Sequence, residues 1–407
     1  MIPWDREVIY EPLVRDPSPT QNSGPIDAPS YTRKTIHFPA NDGTRLEAWL
    51  YRPKGVARAP VVILGHGIGG QKDMALHGFA DRFASNGMAA VIFDYRTFGG
   101  SDGEPRHWVS PKRHVEDWTS TIDFVQEALA VEVDSSRIAL WGSSFGGGHV
   151  LVKGAELADD WRIRAIISQV PYLSGVDASR KNIRAKGLPY ALRFFFNGLQ
   201  GKARMLAGAP CGYMPLAAPT GRLAFMNLSE EEIARYFAKH PRNYEGGWQN
   251  RALVRMAAEF TAYNPIRSVK HVTAPVLLVA ATNDSLCPFS LVERAAELNP
   301  KVQVVARDVG HFDVYMGDAF EDIVAEQLAF LKRALGPMAQ PPPAAGAAGK
   351  GPAVDPVTGG APGVPEAAVP DAGAADVEMG RPDAPLLPDL DASECTAAGP
   401  CSGALPG

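Results

Sequence analysis

The stretch Arg137-Ile138-Ala139-Leu140-Trp141-Gly142-Ser143-Ser144-Phe145-Gly146-Gly147-Gly148 decides how this chain is read. Its first five residues form a short run of strand type, and Gly146 to Leu157 reads as the helix that follows. Between them the chain must turn sharply within Gly142-Ser143-Ser144-Phe145-Gly146, a G-x-S-x-G pentapeptide. Glycines flank such a turn because a Cβ there would collide with neighbouring backbone. The turn pushes the hydroxyl of Ser144 out above the sheet, next to a helix N-terminus. That end carries partial positive charge and free N–H groups, which suit a developing oxyanion. The rival reading is a chance Gly/Ser-rich turn, and it does not account for the strand before and the helix after.

Outward from this turn, strands and helices alternate. Toward the N-terminus, Thr35 to Phe38 and Arg45 to Tyr51 are β-rich runs around Asn41-Asp42-Gly43, a hairpin signal. Pro60 to Leu64 and Ala89 to Phe93 read as buried strands. Leu76, Phe79, Ala80 and Phe83 recur at helical spacing between them, closed by Asn86-Gly87. Ser110-Pro111 opens a further helix with an apolar face of Val115, Trp118, Ile122 and Val125. Toward the C-terminus follow a strand over Ile163 to Val170, another over Val276 to Ala280, a helix over Ser290 to Leu298, a strand over Val302 to Val305 and a closing helix over Phe320 to Leu335. Strands alternating with helices predict an α/β fold with a mostly parallel central sheet and helices on both faces.

Three stretches break the alternation. Residues 1–31 are rich in Pro, Asp and Ser and read as an irregular leader. Residues 172–263 are aromatic-rich and too long for a plain loop, and they read as an inserted, largely helical cap on a domain spanning 32–335. Residues 336–407 are dominated by Ala, Pro and Gly, with no aromatic residue beyond Phe330, and read as a disordered tail.

Two more segments carry chemistry. Gly65-His66-Gly67-Ile68-Gly69-Gly70 follows an apolar strand, where a second oxyanion donor belongs; the backbone N–H groups of Ile68 and Phe145 are the expected pair. A phosphate loop is the rival reading, but Gln71-Lys72 stands where Lys-Ser/Thr would be needed. Asp284 lies just past the strand Val276 to Ala280, and His311 follows the strand at Val304. The order Ser144, Asp284, His311 fits a histidine that takes the serine proton and an aspartate that fixes its tautomer. Asp308 and Asp313 are rival carboxylates, neither at the end of the preceding strand. His66 and His149 read as structural, Cys287 as a small apolar residue, and the Asp94-Tyr95-Arg96 and Gly99 to Gly103 segments as tight turns with a buried ion pair bordering the site.

Charge narrows the partners. The net charge is −5, but the segment from Gly336 holds two basic and nine acidic residues and so carries −7, which leaves +2 elsewhere. A nearly neutral body does not advertise nucleic-acid or membrane-surface binding. Four cysteines without a C-x-x-C pair suggest neither a zinc site nor a redox motif; Cys395 and Cys401 could close a small tail loop. With no apolar h-region at Met1 to Glu7 and no run long enough to span a bilayer, the expectation is a cytoplasmic protein.

From about Thr32 to Leu335 the chain resembles the α/β hydrolases, in particular those with Xaa-Pro dipeptidyl-peptidase-like, serine-aminopeptidase-like and dienelactone-hydrolase-like domains. The carrying motifs are Gly65-His66-Gly67, Asp94-Tyr95-Arg96 with Gly99 to Gly103, the turn at Ser144, Asp284, and Gly310-His311-Phe312-Asp313. It is also similar to hydrolases and acyl transferases of polyketide pathways. The resemblance implies hydrolysis of an ester or related acyl substrate through an acyl-serine, needing no metal or organic cofactor. Peptidase, thioesterase and acyl-transferase activity remain open, as does a non-catalytic binding role. The expected partner is a small-molecule or short-peptide acyl substrate. Epoxide-hydrolase or dehalogenase chemistry is disfavoured, because relatives of that kind place Asp where Ser144 stands.

Overall fold

A computed structural model describes residues 8–11, 24–236 and 248–337. In chain order the first part gives β1 (Ile9–Glu11), β2 (Ile26–Asp27), β3 (Tyr31–Pro39), β4 (Arg45–Pro53), β5 (Ala59–Gly65), α1 (Leu76–Ser85), β6 (Ala89–Phe93), α2 (Pro111–Glu127), β7 (Val133–Ser143), α3 (Phe145–Glu156) and β8 (Ile163–Gln169). The inserted stretch holds α4 (Gly175–Lys186), α5 (Leu188–Leu206), β9 (Cys211–Met214), β10 (Ala217–Pro219), β11 (Met226–Leu228), α6 (Glu230–Arg235) and β12 (Ala252–Leu253). The α/β pattern then resumes with β13 (Val276–Ala281), α7 (Phe289–Leu298), β14 (Val302–Arg307) and α8 (Gly317–Leu335).

Nine of the described strands form one sheet in the order β14-β13-β8-β7-β5-β6-β4-β3-β2. From β14 to β6 every neighbouring pair is parallel, and β4, β3 and β2 join antiparallel at one edge. The β3–β4 hairpin turns at Gly43, whose φ of 82° suits a residue without a Cβ. The period of two along each strand sorts side chains into two cores. Val61 and Ile63 of β5, Val91 and Phe93 of β6, and Ile138 and Leu140 of β7 face one core, which α2 completes with Trp118, Ile122 and Val125. Val62 and Leu64, Ala90 and Ile92, and Ala139 and Trp141 face the other, filled by Leu76, Phe79 and Phe83 of α1 and by Ile323, Phe330 and Leu331 of α8. Burial on both faces explains why these strands read as near-continuous apolar runs.

Two expectations need correcting in detail. The leader is not wholly irregular: β1 pairs with β9 of the insertion, and β2 extends the sheet edge along β3. An edge strand offers unpaired N–H and C=O groups, and even a two-residue segment can take them up. The insertion carries long helices only through α5. Beyond it, Gly208, Pro210, Gly212, Pro215, Pro219 and Gly221 interrupt any long helical run, and the chain makes short strands with the six-residue α6 and single 3-10 turns among them. The tail from Gly336 and the pairing of Cys395 with Cys401 lie outside the described residues beyond Pro337. No helix among the described residues is long and apolar enough to cross a membrane.

Backbone packs closely against backbone where α3 crosses the end of β5. A Cβ on Gly146 would lie 2.4 Å from the carbonyl oxygen of His66 and 2.7 Å from that of Gly65. Both obstacles are backbone, so neither can swing aside. Gly146→Ala is therefore expected to destabilise the protein by several kcal/mol, in the range of severe core lesions of about 4 kcal/mol or more. Gly24→Ala, with nothing within 4 Å of its Cβ position, is the control. Thermal denaturation compares them, and equal melting temperatures would contradict the packing argument.

Candidate active site

Ser144 sits between the last residue of β7 and the first of α3, with φ 56° and ψ −116°. A non-glycine residue in this region carries backbone strain, and the surroundings hold it there. Its N–H donates to the Gln169 carbonyl at 2.8 Å, and its carbonyl accepts from Tyr172 N at 2.8 Å and Gly148 N at 3.2 Å. A Cβ on Gly142 would fall 2.1 Å from the Gly146 carbonyl oxygen, so the glycines at both ends of the turn are steric requirements. Ser144 is half-exposed, and Ser143 is buried with its hydroxyl 2.5 Å from the hydroxyl of Tyr315.

The loops after β13 and β14 bring Asp284 and His311 to this turn. His311 Nε2 is 3.1 Å from Ser144 Oγ, and His311 Nδ1 is 2.6 Å from Asp284 Oδ2. The other carboxylate oxygen, Asp284 Oδ1, accepts the backbone N–H groups of Leu286 at 2.8 Å and Cys287 at 2.7 Å. Asp284 is thus fixed in orientation, and its side chain and that of His311 are each 1% exposed. The rival carboxylates are engaged elsewhere. Asp313 accepts from Gly310 N and Arg235, and Asp308 accepts from Thr282 and Asn283.

The glycine loop after β5 lies against the same serine. A Cβ on Gly67 would be 3.1 Å from Ser144 Cβ, and Ile68, Ser144 and Phe145 line one cavity. The Phe145 N–H belongs to the first residue of α3 and has no acceptor within that helix. Beneath the loop, buried Lys72 donates to Glu47 at 2.7 Å and to Asp94 at 2.5 Å, and Asp94 also accepts from Lys72 N and Gly100 N. Burial alone would raise the Asp94 carboxyl, but the Lys72 ammonium, His66 and the hydrogen bonds from Lys72 together outweigh it and hold Asp94 below the usual carboxylate range. The loop is also gripped from the insertion, where Trp248 Nε1 donates to the Gly69 carbonyl at 2.7 Å.

The five residues expected from the sequence thus converge: Ser144, Asp284 and His311 in one hydrogen-bonded line, with Ile68 and Phe145 beside it. Sequence reasoning missed Tyr315, Trp248 and the role of Lys72. Nothing local marks Tyr315 or Trp248, whereas a lysine two residues after a glycine loop is a visible signal that was read only against a phosphate loop. Cys287 has its sulfur within 4.8 Å of donor atoms of Asp284 and His311. The two latter groups are already committed to each other, and burial pushes the Cys287 thiol well above its usual range, which keeps it protonated and a poor metal ligand.

The family described as serine aminopeptidase S33 matches residues 57–305. This chain belongs to that family of α/β hydrolases. Among relatives of this hydrolase, the quorum-quenching protein AidA of Acinetobacter baumannii is 36% identical over 73% of this chain and 94% of its own length. A thiohydrolase of Eupenicillium brefeldianum is 27% identical over 74% of this chain and 94% of its own. The crystal structure of the α/β hydrolase GrgF from a Penicillium species superposes with a TM-score of 0.60 at 25% identity, covering 74% of this chain and 99% of that one.

Two predictions follow from the site's surroundings. Asp284→Asn should lower kcat by about 10³–10⁴-fold, the usual cost of losing the histidine's orienting carboxylate. Asp313→Asn should cost far less, and equal losses in folded variants would reassign the acid. The second concerns histidines packed below the site. Burial pushes His66 down to about 4 and His149 down to about 3, and holds His107 and His114 well below their usual range. Below pH of about 6.5 the unfolded chain takes up protons that these folded, neutral rings refuse. Stability should therefore fall as pH drops from 7 toward 4, by about 1.4 kcal/mol per pH unit for each proton of difference. Urea unfolding at pH 7 and pH 5 measures it, and a flat profile would contradict neutral burial.

Proposed function

We propose that this hydrolase cleaves a carboxylic ester or thioester through an acyl-serine intermediate. The observation that carries the reading is the unbroken hydrogen-bond line from Asp284 through His311 to Ser144. Ser144 Oγ attacks the carbonyl carbon while its proton passes to His311 Nε2. Asp284 holds the imidazole in the tautomer that accepts there and stabilises the imidazolium that results. The Ile68 and Phe145 N–H groups receive the oxyanion. The bond to the leaving oxygen or sulfur breaks, and His311 returns the proton to it. Water, deprotonated by His311, then attacks the acyl-serine, and the acid leaves as Ser144 recovers its proton.

The relative named as a thiohydrolase supports including thioesters. The cavity beside Ser144, about 230 Å³ and walled by Tyr172, Phe225, Met226, Phe260 and Leu286, supports an acyl substrate with an apolar body. Transfer of the same acyl group to an alcohol is the competing outcome, because the intermediate is shared and only the nucleophile of the second half differs.

A fluorophosphonate should label the protein at Ser144, and Ser144→Ala should abolish labelling and turnover without unfolding. Ser143→Ala should keep most activity, since that hydroxyl points to Tyr315 and Gln169. Absence of labelling would favour a binding role. Labelling with turnover only in the presence of an alcohol acceptor would favour transfer. Behaviour of the two serine variants the other way round would move the nucleophile by one residue.

A further inference from the structure

The cavity that opens on Ser144 has a polar end that the reaction above leaves unused. Lys181 and Lys186 of α4 line it, together with Asn182, Asn227 and Thr220, and no Asp or Glu is among its lining residues. Lys181 Nζ donates to the Ser285 carbonyl at 2.5 Å, and Lys186 Nζ donates to Asn227 Oδ1 at 2.5 Å. Both acceptors are neutral. Among the described residues no carboxylate lies within ion-pair distance of either ammonium, although this protein pairs most of its other inward-facing cations, as at Lys72, Arg96 and Lys153. Glu232 comes near through Ser285 Oγ, but its carboxylate is taken up by that hydroxyl and by the capping box at Ser229.

Lys186 is the more telling of the two. It is half-buried, with its ammonium 4.7 Å from the centre of the Tyr190 ring. Burial, and then repulsion from Lys181, push it down to about 8. Lys181 is exposed at the mouth of the cavity and repels the half-buried Lys186, and an anion between the two would relieve that repulsion. An ammonium offers three donors, and the bonds seen use one from each. The rest of the wall is apolar, so the cavity presents a hydrocarbon-lined body with a cationic end.

We infer that Lys181 and Lys186 form an anion subsite in the acyl cavity, so that the preferred substrate carries a carboxylate or similar anionic group on the chain that occupies this cavity. This rests on the ester or thioester reading above and narrows its substrate class. The anion can sit on the acyl chain or on the leaving group, and two pairs of probes separate these sources. Monoethyl adipate and ethyl hexanoate differ only by a carboxylate on the acyl chain. 6-Acetoxyhexanoate and hexyl acetate differ only by a carboxylate on the alcohol.

The wild-type enzyme should prefer the anionic member of one pair. In the Lys181→Met/Lys186→Met double variant that preference, as a ratio of kcat/KM values, should fall by about tenfold or more, mainly through KM, as expected when one well-placed ion pair is lost. Lys186→Arg, which keeps the charge, should restore part of it when made alongside Lys181 intact. A wild-type enzyme with no preference in either pair, or a double variant with an unchanged ratio, overturns the subsite. If no ester is turned over and no fluorophosphonate label appears, the hydrolase chemistry has failed instead. Calorimetric binding of the same four compounds to Ser144→Ala then decides the subsite alone: tighter binding of an anionic member that the two lysine substitutions remove supports it, and equal binding within both pairs overturns it.

Discussion

Everything at the centre of this molecule depends on one backbone crossing. The N-terminal turn of α3 passes so close to the end of β5 that Gly146 touches the carbonyl oxygens of Gly65 and His66. Because no side chain fits between them, the helix can start directly over the sheet. Ser144 is then forced into a left-handed conformation at the rim, and the glycine loop after β5 is brought against its Cβ. One contact therefore sets both the exposure of the hydroxyl and the position of the loop that carries the Ile68 N–H. The strain at Ser144 is held by three backbone hydrogen bonds to the turn, so the hydroxyl is presented rigidly rather than found by motion.

Much of this was legible in the sequence, and the reason is physical. Strands buried on both faces must be apolar almost without interruption, so β5, β6, β8 and β13 announce themselves. Parallel strands also place their C-terminal ends on one side of the sheet. A carboxylate just past β13 and a histidine past β14 are then neighbours of a serine past β7, whatever lies between them in the chain. Position at a strand end separated Asp284 from Asp308 and Asp313, and the hydrogen bonds of the two rivals to Gly310, Arg235, Thr282 and Asn283 agree with that separation.

The parts that were not legible are those whose partners are remote in sequence or whose signal is short. Strand β1 exists because Ile9 meets Tyr213, and no local pattern in either segment predicts that pairing. The strands of the insertion, β9 to β12, have two to four residues each, too few for a period to show. Lys72 looks like a surface residue in the sequence and is fully buried in the fold, where Asp94 and Glu47 neutralise it. Its burial makes sense only once β4, β6 and the glycine loop are seen to converge. The histidines behave likewise: single letters in the sequence, they join one buried aromatic cluster, His114 stacked on Tyr95 and His66 and His149 set edge-on to Phe98 and Phe145.

The insertion links recognition to chemistry more closely than a lid resting on a finished site would. Its α4 and β11 supply walls of the cavity, while its Leu216 and Trp248 press on and bond to Gly69, next to the Ile68 N–H. Ser144, Asp284 and His311 lie just past the ends of β7, β13 and β14, whereas most of the cavity wall comes from the insertion. The glycine loop after β5, by contrast, is shared: its strand end is fixed by the sheet, its far side by the insertion. A change in the insertion that reshapes the cavity also bears on the loop that carries the Ile68 N–H. Under the proposed ester or thioester reading, substrate choice therefore falls to the same segment whose short strands and helices the sequence described least well, and to its charge and shape rather than to Ser144, Asp284 and His311.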